Sequence, residues 1–302
     1  MALPPSASLF ERIWYVFFRV ICGAVLIFLI APILIIIPLS FNAEPYFTFT
    51  PGMLTLDPDA FSLRWYKDVI TNGMAAPEDP FSFAWLLDSW QNSQWIHSAK
   101  NSFFIAICAT ALATSLGTLA ALGISRANMP FRALIMSLLI SPMIVPIIIT
   151  ATGLFFFYSS IGLAQTHLGI ILAHATLGIP FVIITVTATL ASFDQNLSRA
   201  GASLGATAPT VFFKITLPLI LPGVIAGALF AFALSFDEVV TILFLAGFEQ
   251  RTIPRQMWAG LREQISPTIL AVASILILLS VMLLSSIEIL RRRSEIAGRT
   301  GS

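Results

Sequence analysis

The chain has 302 residues, of which 57% are hydrophobic and 10% charged, whereas ordinary soluble domains have roughly 45–50% apolar and about 25% charged residues. Its mean hydropathy is +0.91, and its formal net charge is only +1. These values exclude an ordinary soluble enzyme and remove the electrostatic basis for binding nucleic acid. They predict a protein that crosses a membrane several times.

Six apolar segments are long enough to cross a hydrocarbon core of about 30 Å, which requires roughly 20 helical residues. They lie near residues 14–39, 102–123, 132–157, 168–190, 218–246 and 268–290. The first segment is longer than the apolar region of a secretory signal peptide and lacks its small-residue cleavage pattern, so we expect it to be retained as a membrane helix. The sequence therefore predicts an all-α protein with six transmembrane helices.

The basic residues near the span ends predict which side faces the cytoplasm, because Lys and Arg resist translocation. The cytoplasmic side is assigned Arg12, Arg19, Arg126, Arg132, Arg199, Lys214, Arg291, Arg292, Arg293 and Arg299. The opposite side holds Arg64, Lys67, Lys100, Arg251, Arg255 and Arg262. Both termini are therefore expected in the cytoplasm.

This topology divides the chain into regions with different surroundings. They are a cytoplasmic N-terminus (1–13), a first membrane helix (14–39), an external loop (40–100), a five-helix core (101–290) and a basic cytoplasmic tail (291–302). The external loop contains four tryptophans, Trp65, Trp85, Trp90 and Trp95. They mark either the membrane interface or a docking surface for an external partner.

The third and fourth spans contain residues that are unusual inside a bilayer. Pro142 and Pro146 interrupt the third span, and unwound backbone in a membrane is tolerated only where it is packed or lines a cavity. Both prolines are therefore candidate elements of a substrate pathway. His167 and His174, in or beside the fourth span, favour hydrogen bonding within the bundle over a metal site, and no metal is expected.

A polar loop at 194–218 separates the fourth span from the fifth. Small residues lie at positions 200, 201, 202 and 205 on a predicted short helix, where they would allow another backbone to approach closely. Gly205 suits the C-terminus of that helix, and Pro209 can begin the next segment. From these residues alone, the loop is either a plain helical hairpin or a contact surface for another protein.

The fifth span begins with two prolines, continues with Gly223-x-x-x-Gly227 and ends with adjacent acids, Asp237 and Glu238. The glycines form either a helix-packing face or part of the pathway. An acid in a span costs on the order of 2.5–3.5 kcal/mol, so it usually faces a cavity, the bundle interior or a partner. The acidic pair is either hydrated and bonded locally or part of the pathway, together with Ser235 and Phe236.

Motifs of catalytic and nucleotide-binding sites are missing from the sequence. There is no Gly-x-x-x-x-Gly-Lys-Ser/Thr phosphate loop, no Gly-x-Ser-x-Gly elbow and no His-Glu-x-x-His helix. Cys22 and Cys108 lie in apolar stretches without disulfide or metal-ligand spacing. We therefore expect the chain not to be an enzyme and not to hydrolyse ATP by itself.

The string from Ala200 to Gly205, followed by Ile215-Thr216-Leu217-Pro218, resembles the EAA loop of ABC-importer permeases with its trailing I-x-LP. Arg199 stands where that family usually has glutamate, but the spacing from Gly205 to Leu217-Pro218 is retained. The resemblance extends over roughly residues 99–290 and is closest to the polyamine-type permeases. Other similar strings are Asn101-Ser102, Gly178-Ile179-Pro180-Phe181-Val182, Leu234-Ser235-Phe236-Asp237-Glu238-Val239-Val240 and Ile253-Pro254.

The resemblance implies a type I importer (MetI-like) permease fold in a bacterial inner membrane. It implies that the loop forms a coupling helix seated in a cleft of a separate ATPase. The implied coupling residues are Arg199, Ala200, Gly201, Ser203, Leu204, Gly205, Leu217 and Pro218. It also favours a pathway role for the acidic pair, Asp237 first, because the family often has an acid there.

The partners follow from the same resemblance. They are an ATPase dimer that holds ATP and Mg²⁺, a second permease subunit, an external solute-binding protein and the lipid bilayer; this chain itself would bind no cofactor. The expected function is ATP-driven import of a small organic solute, with a polyamine such as putrescine or spermidine first. An opine, a betaine-like solute or another compound is an alternative, and so is a stand-alone secondary transporter.

Overall fold

The computed structural model describes residues 8–75, 80–126, 129–263, 266–282 and 285. Within these ranges the chain is helical, and the one antiparallel bridge joins Asn42 to Phe61. The helices are α1 (Leu9–Leu39), α2 (Pro51–Leu54), α3 (Arg64–Thr71), α4 (Phe83–Asn92), α5 (Gln94–Ile124), α6 (Arg132–Ile144), α7 (Ile147–Ser160), α8 (His167–Ala191), α9 (Gln195–Ser203), α10 (Ala208–Val211), α11 (Leu217–Asp237), α12 (Val240–Leu245), α13 (Ile253–Glu263) and α14 (Thr268–Met282). A 3₁₀ turn covers Pro58–Ala60, and a π-helical segment covers Phe212–Thr216.

The described residues contain four or five helices able to span a membrane, whereas the sequence predicts six. The four are α1, α5, α8 and the continuous helix Ala208–Asp237, and the bent pair α6 and α7 is the fifth if it counts as one span. Helix α14 begins at the start of the sixth predicted span and is described as far as Met282. The rest of that span and the tail 291–302 lie outside the described residues, as do residues 1–7.

The third predicted span, 132–157, is not one helix. Helix α6 ends at Ile144, α7 begins at Ile147, and the two axes differ by 97°. Val145 and Pro146 between them have extended backbone, with ψ of 132° and 128°. Proline disfavours helical geometry in the residue before it, so Pro146 causes the break, whereas Pro142 is accommodated inside α6.

The fifth predicted span, 218–246, is also divided. Helix α11 ends at Asp237, and Glu238 is extended with ψ of 117° before α12 begins at Val240. The Glu238 Oε1 atom accepts a hydrogen bond from the Thr241 backbone N–H at 2.8 Å. Glu238 therefore satisfies a free donor at the start of α12, as a side-chain cap does.

The chain divides into two compact units, and the first comprises Met1–Pro80 with Gly260–Ser302. In this unit the most apolar stretch of α1 has none of its residues buried. The segment after α1 is held by hydrogen bonds from Trp65 Nε1 to the Asn42 carbonyl (2.7 Å) and between the Ser40 and Tyr66 hydroxyls (2.7 Å). Residues 40–66 thus form an ordered structure of their own.

The second unit, Phe81–Ala259, is built around α5, α8 and α11. These helices pack closely because glycines face their neighbours. A Cβ at Gly227 would lie 2.5 Å from Thr185 Oγ1, and one at Gly223 would lie 2.1 Å from Thr189 Oγ1. The Gly-x-x-x-Gly motif is therefore the packing face of α11 against α8.

Candidate functional site

Two groups of predicted functional residues lie at opposite ends of the α5–α8–α11 core. The C-terminal ends of α5 and α8 meet the loop 194–218, where Leu122, Leu190 and Thr216 line one groove. The opposite end begins with Asn101 near the start of α5 and His167 at the start of α8, which are hydrogen-bonded at 3.2 Å. Residues 235–238 end α11 toward that side.

Helix α9 has defined caps at both ends. At its start, Asp194 Oδ1 accepts a hydrogen bond from the Asn196 N–H at 2.9 Å. At its end, the Gly205 N–H donates to the Ala202 carbonyl (3.0 Å) and the Ala206 N–H donates to the Gly201 carbonyl (3.2 Å). This is a Schellman turn, and it requires the positive φ of +85° that Gly205 adopts. The prediction that Gly205 ends this helix is confirmed.

A π-helical segment supports α9 from the side. Gly201 is buried, and a Cβ there would lie 2.6 Å from Ile215 Cδ1. The Ser198 and Thr216 hydroxyls lie 3.3 Å apart. The π geometry has a local cause, since Pro218 has no N–H to donate to the carbonyl four residues earlier and its ring clashes with that carbonyl. Small and hydroxyl side chains thus hold the loop against the start of α11.

The predicted coupling residues divide by exposure. Arg199, Ala200, Ser203, Leu204, Gly205 and Pro218 are exposed, Gly201 is buried, and Leu217 is half-buried. Leu204 is 88% exposed although it is apolar, and the Schellman turn fixes its backbone. An apolar side chain on a fixed backbone can fill a pocket of a partner without a further loss of backbone freedom.

Alongside α9 runs a groove of about 560 Å³, which we call the α9 groove. Its walls come from the ends of α5 and α8, one side of α9 and the start of the helix that leads into α11. The lining residues are Leu122, Ser125, Arg126, Leu190, Phe193, Ser198, Arg199, Ala202, Ala206, Ala208, Val211, Phe212 and Thr216.

The second group, at the end of α11, contains two acids with different surroundings. Asp237 is exposed and has no hydrogen-bond or ion-pair partner within the described residues, whereas Glu238 is 8% exposed and bonds to Thr241. Phe236 packs against Phe103, with ring centroids 5.1 Å apart. Asp237 is therefore the carboxylate of this pair that is available to a solute or to water.

Ser235 is buried and hydrogen-bonded to the next helix. Its Oγ lies 2.8 Å from His174 Nδ1, and this bond joins α11 to α8 one turn before the helix break. Pro142 and Pro146 lie in or beside the α6–α7 bend, and no hydrogen bond links them to residues 235–238 in the described ranges. Predicted residues at the end of α11 thus bond or pack against α5, α8 and α12, as Phe236 does on Phe103, Ser235 on His174 and Glu238 on Thr241.

Sequence reasoning missed a polar clamp at this end of the core. The Asn101 side-chain amide donates to the carbonyls of Glu249 (2.7 Å) and Arg251 (2.9 Å), and Ser102 Oγ accepts from the Ile253 N–H (2.8 Å). These bonds fix the loop between α12 and α13. The available signal was the presence of Asn and Ser in an apolar helix, since buried polar side chains are nearly always hydrogen-bonded.

Arg255 strengthens the same clamp from α13. Its Nη1 donates to the carbonyls of Ala246 (2.9 Å) and Gly247 (2.8 Å). Burial, and secondly the charge of Arg251, lower the pKa of the Arg255 guanidinium. The two carbonyl acceptors oppose this lowering of the pKa, because they stabilise the charged form of the guanidinium.

No group of three or more His, Cys, Asp or Glu side chains suited to a metal occurs in the ranges that the structure describes. His97 Nε2 and Glu249 Oε2 form a contact of 3.9 Å. His167 is bonded to Asn101 and His174 to Ser235, as expected for histidines that bond within the bundle.

Residues 113–296 match the family model described as binding-protein-dependent transport system inner membrane component. The chain is 28% identical over 268 residues to the spermidine/putrescine transport system permease protein PotC of Haemophilus influenzae, covering 89% of this chain and 93% of that protein. It is 29% identical over 261 residues to the putrescine transport system permease protein PotI of Escherichia coli, covering 83% and 82%.

Solved structures show the same fold at low identity. A chain from the crystal structure of a bacterial ABC transporter involved in the import of the acidic polysaccharide alginate aligns with a TM-score of 0.65 and 16% identity, covering 96% of this chain and 99% of that one. The alginate transporter in complex with its pentasaccharide-bound periplasmic protein aligns with a TM-score of 0.60 and 18% identity, covering 90% and 93%.

Proposed function

Because the chain belongs to the family of binding-protein-dependent transport system inner membrane components, we propose that it is the permease subunit of an ATP-driven importer for a polyamine. The observation that carries this proposal is the combination of the family match over residues 113–296 with similarity to polyamine permeases along most of the chain. The substrate class is putrescine or spermidine.

The proposed mechanism is alternating access. A loaded solute-binding protein docks on the external face, and ATP closes an ATPase dimer on the cytoplasmic side. Helix α9 and Gly205 transmit this closure to α11 through the π segment, so that the pathway opens outward, and hydrolysis reopens it inward. The contacts of Gly201 with Ile215 and of Ser198 with Thr216 support this role, because they join the exposed loop to the start of a spanning helix.

The proposal requires partner chains, since the sequence has no phosphate-binding loop. ATP and Mg²⁺ would be held by the ATPase dimer. A second permease subunit would complete the pathway, and a periplasmic solute-binding protein would deliver the polyamine. In this scheme α9 and Gly205 act in coupling to the ATPase, and Asp237 is the carboxylate of the pathway.

The function is tested by ATP-dependent uptake. The chain is reconstituted in vesicles with the ATPase, permease and binding protein encoded beside it, and uptake of labelled putrescine and spermidine is measured with glycine betaine as the control solute. We expect uptake of a polyamine that requires both ATP and the binding protein. Uptake without ATP would refute the importer class, and ATP-driven uptake of betaine alone would refute the substrate.

A thermal-shift screen of the same binding protein tests the identity of the substrate independently of the importer mechanism. Stabilisation by putrescine or spermidine is the expected result. Tight binding of an anion, with no response to polyamines, would reject the polyamine assignment while leaving the importer mechanism to the uptake assay.

A further inference from the structure

The α9 groove combines apolar walls with two positive charges. Leu122, Leu190 and Phe193 contribute apolar surface, and Arg126 and Arg199 both line the same space. Neither guanidinium forms an ion pair within the part of the chain that the structure describes. The groove is thus complementary to an amphiphilic anion, since its walls match an apolar portion and its two arginines match a negative charge.

The position of the groove matches the membrane interface. Ser125 and Arg126 directly follow the last residue of α5, and Leu190 and Phe193 bracket the end of α8. Both helices are long and apolar enough to span a bilayer, so their ends lie where hydrocarbon gives way to headgroups. Basic pockets between spanning helices at this depth are typical binding sites for anionic lipid headgroups.

We propose that the α9 groove binds one anionic phospholipid, with its phosphate between Arg126 and Arg199 and its acyl chain along Leu122 and Leu190. Since Arg199 belongs to α9, the lipid would hold this helix against the ends of α5 and α8. The site would make the loop sensitive to the content of anionic lipid in the membrane. Lipid binding by the chain does not depend on the transport function proposed above.

The test is photolabelling of the full-length chain in nanodiscs. The discs contain phosphatidylcholine with a minor share of phosphatidylglycerol bearing a photoreactive acyl chain, and crosslinked peptides are mapped by mass spectrometry. We expect label near Leu122, Leu190 or Phe193. Arg126→Gln and Arg199→Gln should each reduce labelling about fivefold, whereas Lys214→Gln, which removes an exposed cation of the same loop outside the groove, should not.

Each alternative has its own outcome. The proposal would be overturned if photoreactive phosphatidylcholine labelled the chain as strongly as phosphatidylglycerol. It would also be overturned if both arginine variants were labelled as strongly as the unaltered chain. Displacement by soluble glycerol phosphate would identify a free-anion site instead of a lipid site. Loss of the label when the ATPase is added would show that protein fills the groove in the assembled transporter, and would also overturn it.

Discussion

The two acids at the end of α11 are adjacent in sequence but have different roles in the structure. Glu238 directs its carboxylate to the backbone of α12, and Asp237 is exposed without a partner in the described residues. Sequence reasoning identified the pair, because charges inside a span are rare. It could not separate them, since their difference depends on the helix break between them.

Replacing Asp237 with Asn should lower polyamine uptake without lowering the amount of protein in the membrane. The substitution removes a charge that would attract a cationic solute and changes little else, because the side chain has no partner among the described residues. Initial uptake rates and membrane immunoblots give the two readouts. Equal uptake by Asp237→Asn and the unaltered chain would leave Asp237 without a transport role.

Glu238→Ala is the matched comparison and should act through stability. It removes the acceptor of the Thr241 N–H, and loss of a helix cap costs about 1 kcal/mol. We expect a lower thermal unfolding midpoint of the purified chain. An unchanged midpoint would contradict the capping role.

At Gly205, the effect of backbone strain can be tested separately from the effect of side-chain volume. Nothing lies within 4 Å of a Cβ at this position, but its φ of +85° is unfavourable for branched residues and better tolerated by Asn. Gly205→Val should therefore distort the Schellman turn and uncouple ATP hydrolysis from uptake, while Gly205→Asn retains most of the coupling. ATPase and uptake rates measured on the same vesicles give the ratio, and transport that is unchanged in Gly205→Val would refute the assignment of the loop.

At the scale of elements, hydropathy located the apolar segments but not their breaks. The stretches 132–157 and 218–246 are apolar throughout, so their composition predicts single spans, yet the chain bends at Pro146 and at Glu238. Pro146 was visible in the sequence, but Pro142, Pro180 and Pro222 lie inside helices. The presence of a proline is therefore not enough to predict where a helix ends.

The packing of α11 on α8 predicts a strong effect of one methyl group. A Cβ at Gly227 would lie 2.5 Å from Thr185 Oγ1 and 2.8 Å from Val182 Cα, and the Val182 backbone cannot move without shifting α8. Gly227→Ala should cost about 1–3 kcal/mol, measured by thermal or denaturant unfolding of the purified chain. Gly153→Ala in α7, where nothing lies within 4 Å, is the control and should not destabilise; similar midpoints in both variants would contradict close packing.

At the scale of the whole molecule, the fold class and family were accessible from the sequence, because they depend on composition and on a contiguous loop. The clamp was not, since Asn101 and the carbonyls of Glu249 and Arg251 are separated by 148 and 150 residues. The bond between His174 and Ser235 is likewise long-range, at 61 residues. Such contacts depend on how spans pack together, and periodicity within one span carries little information about that.

The orientation predicted by the basic residues is testable with single cysteines. Ser203→Cys and Phe248→Cys are placed on exposed positions at opposite ends of α11, in a background with Cys22→Ser and Cys108→Ser. An impermeant maleimide should label Phe248→Cys in intact spheroplasts and Ser203→Cys only in inside-out vesicles stripped of the ATPase. The reverse pattern would invert the topology, and labelling of both variants from one side would show that α11 does not cross the membrane.

The π segment at Phe212–Thr216 also affects the tolerance of this loop to changes in length. A π turn accommodates one residue more than an α-helical turn, so deletion of one residue there would restore a regular helix instead of breaking it. Because the extra residue is absorbed within that one turn, the backbone on either side of the deletion would keep its rotation around the axis of α11. In homologous chains, a gap of one residue at this point would therefore leave the direction of α9 unchanged.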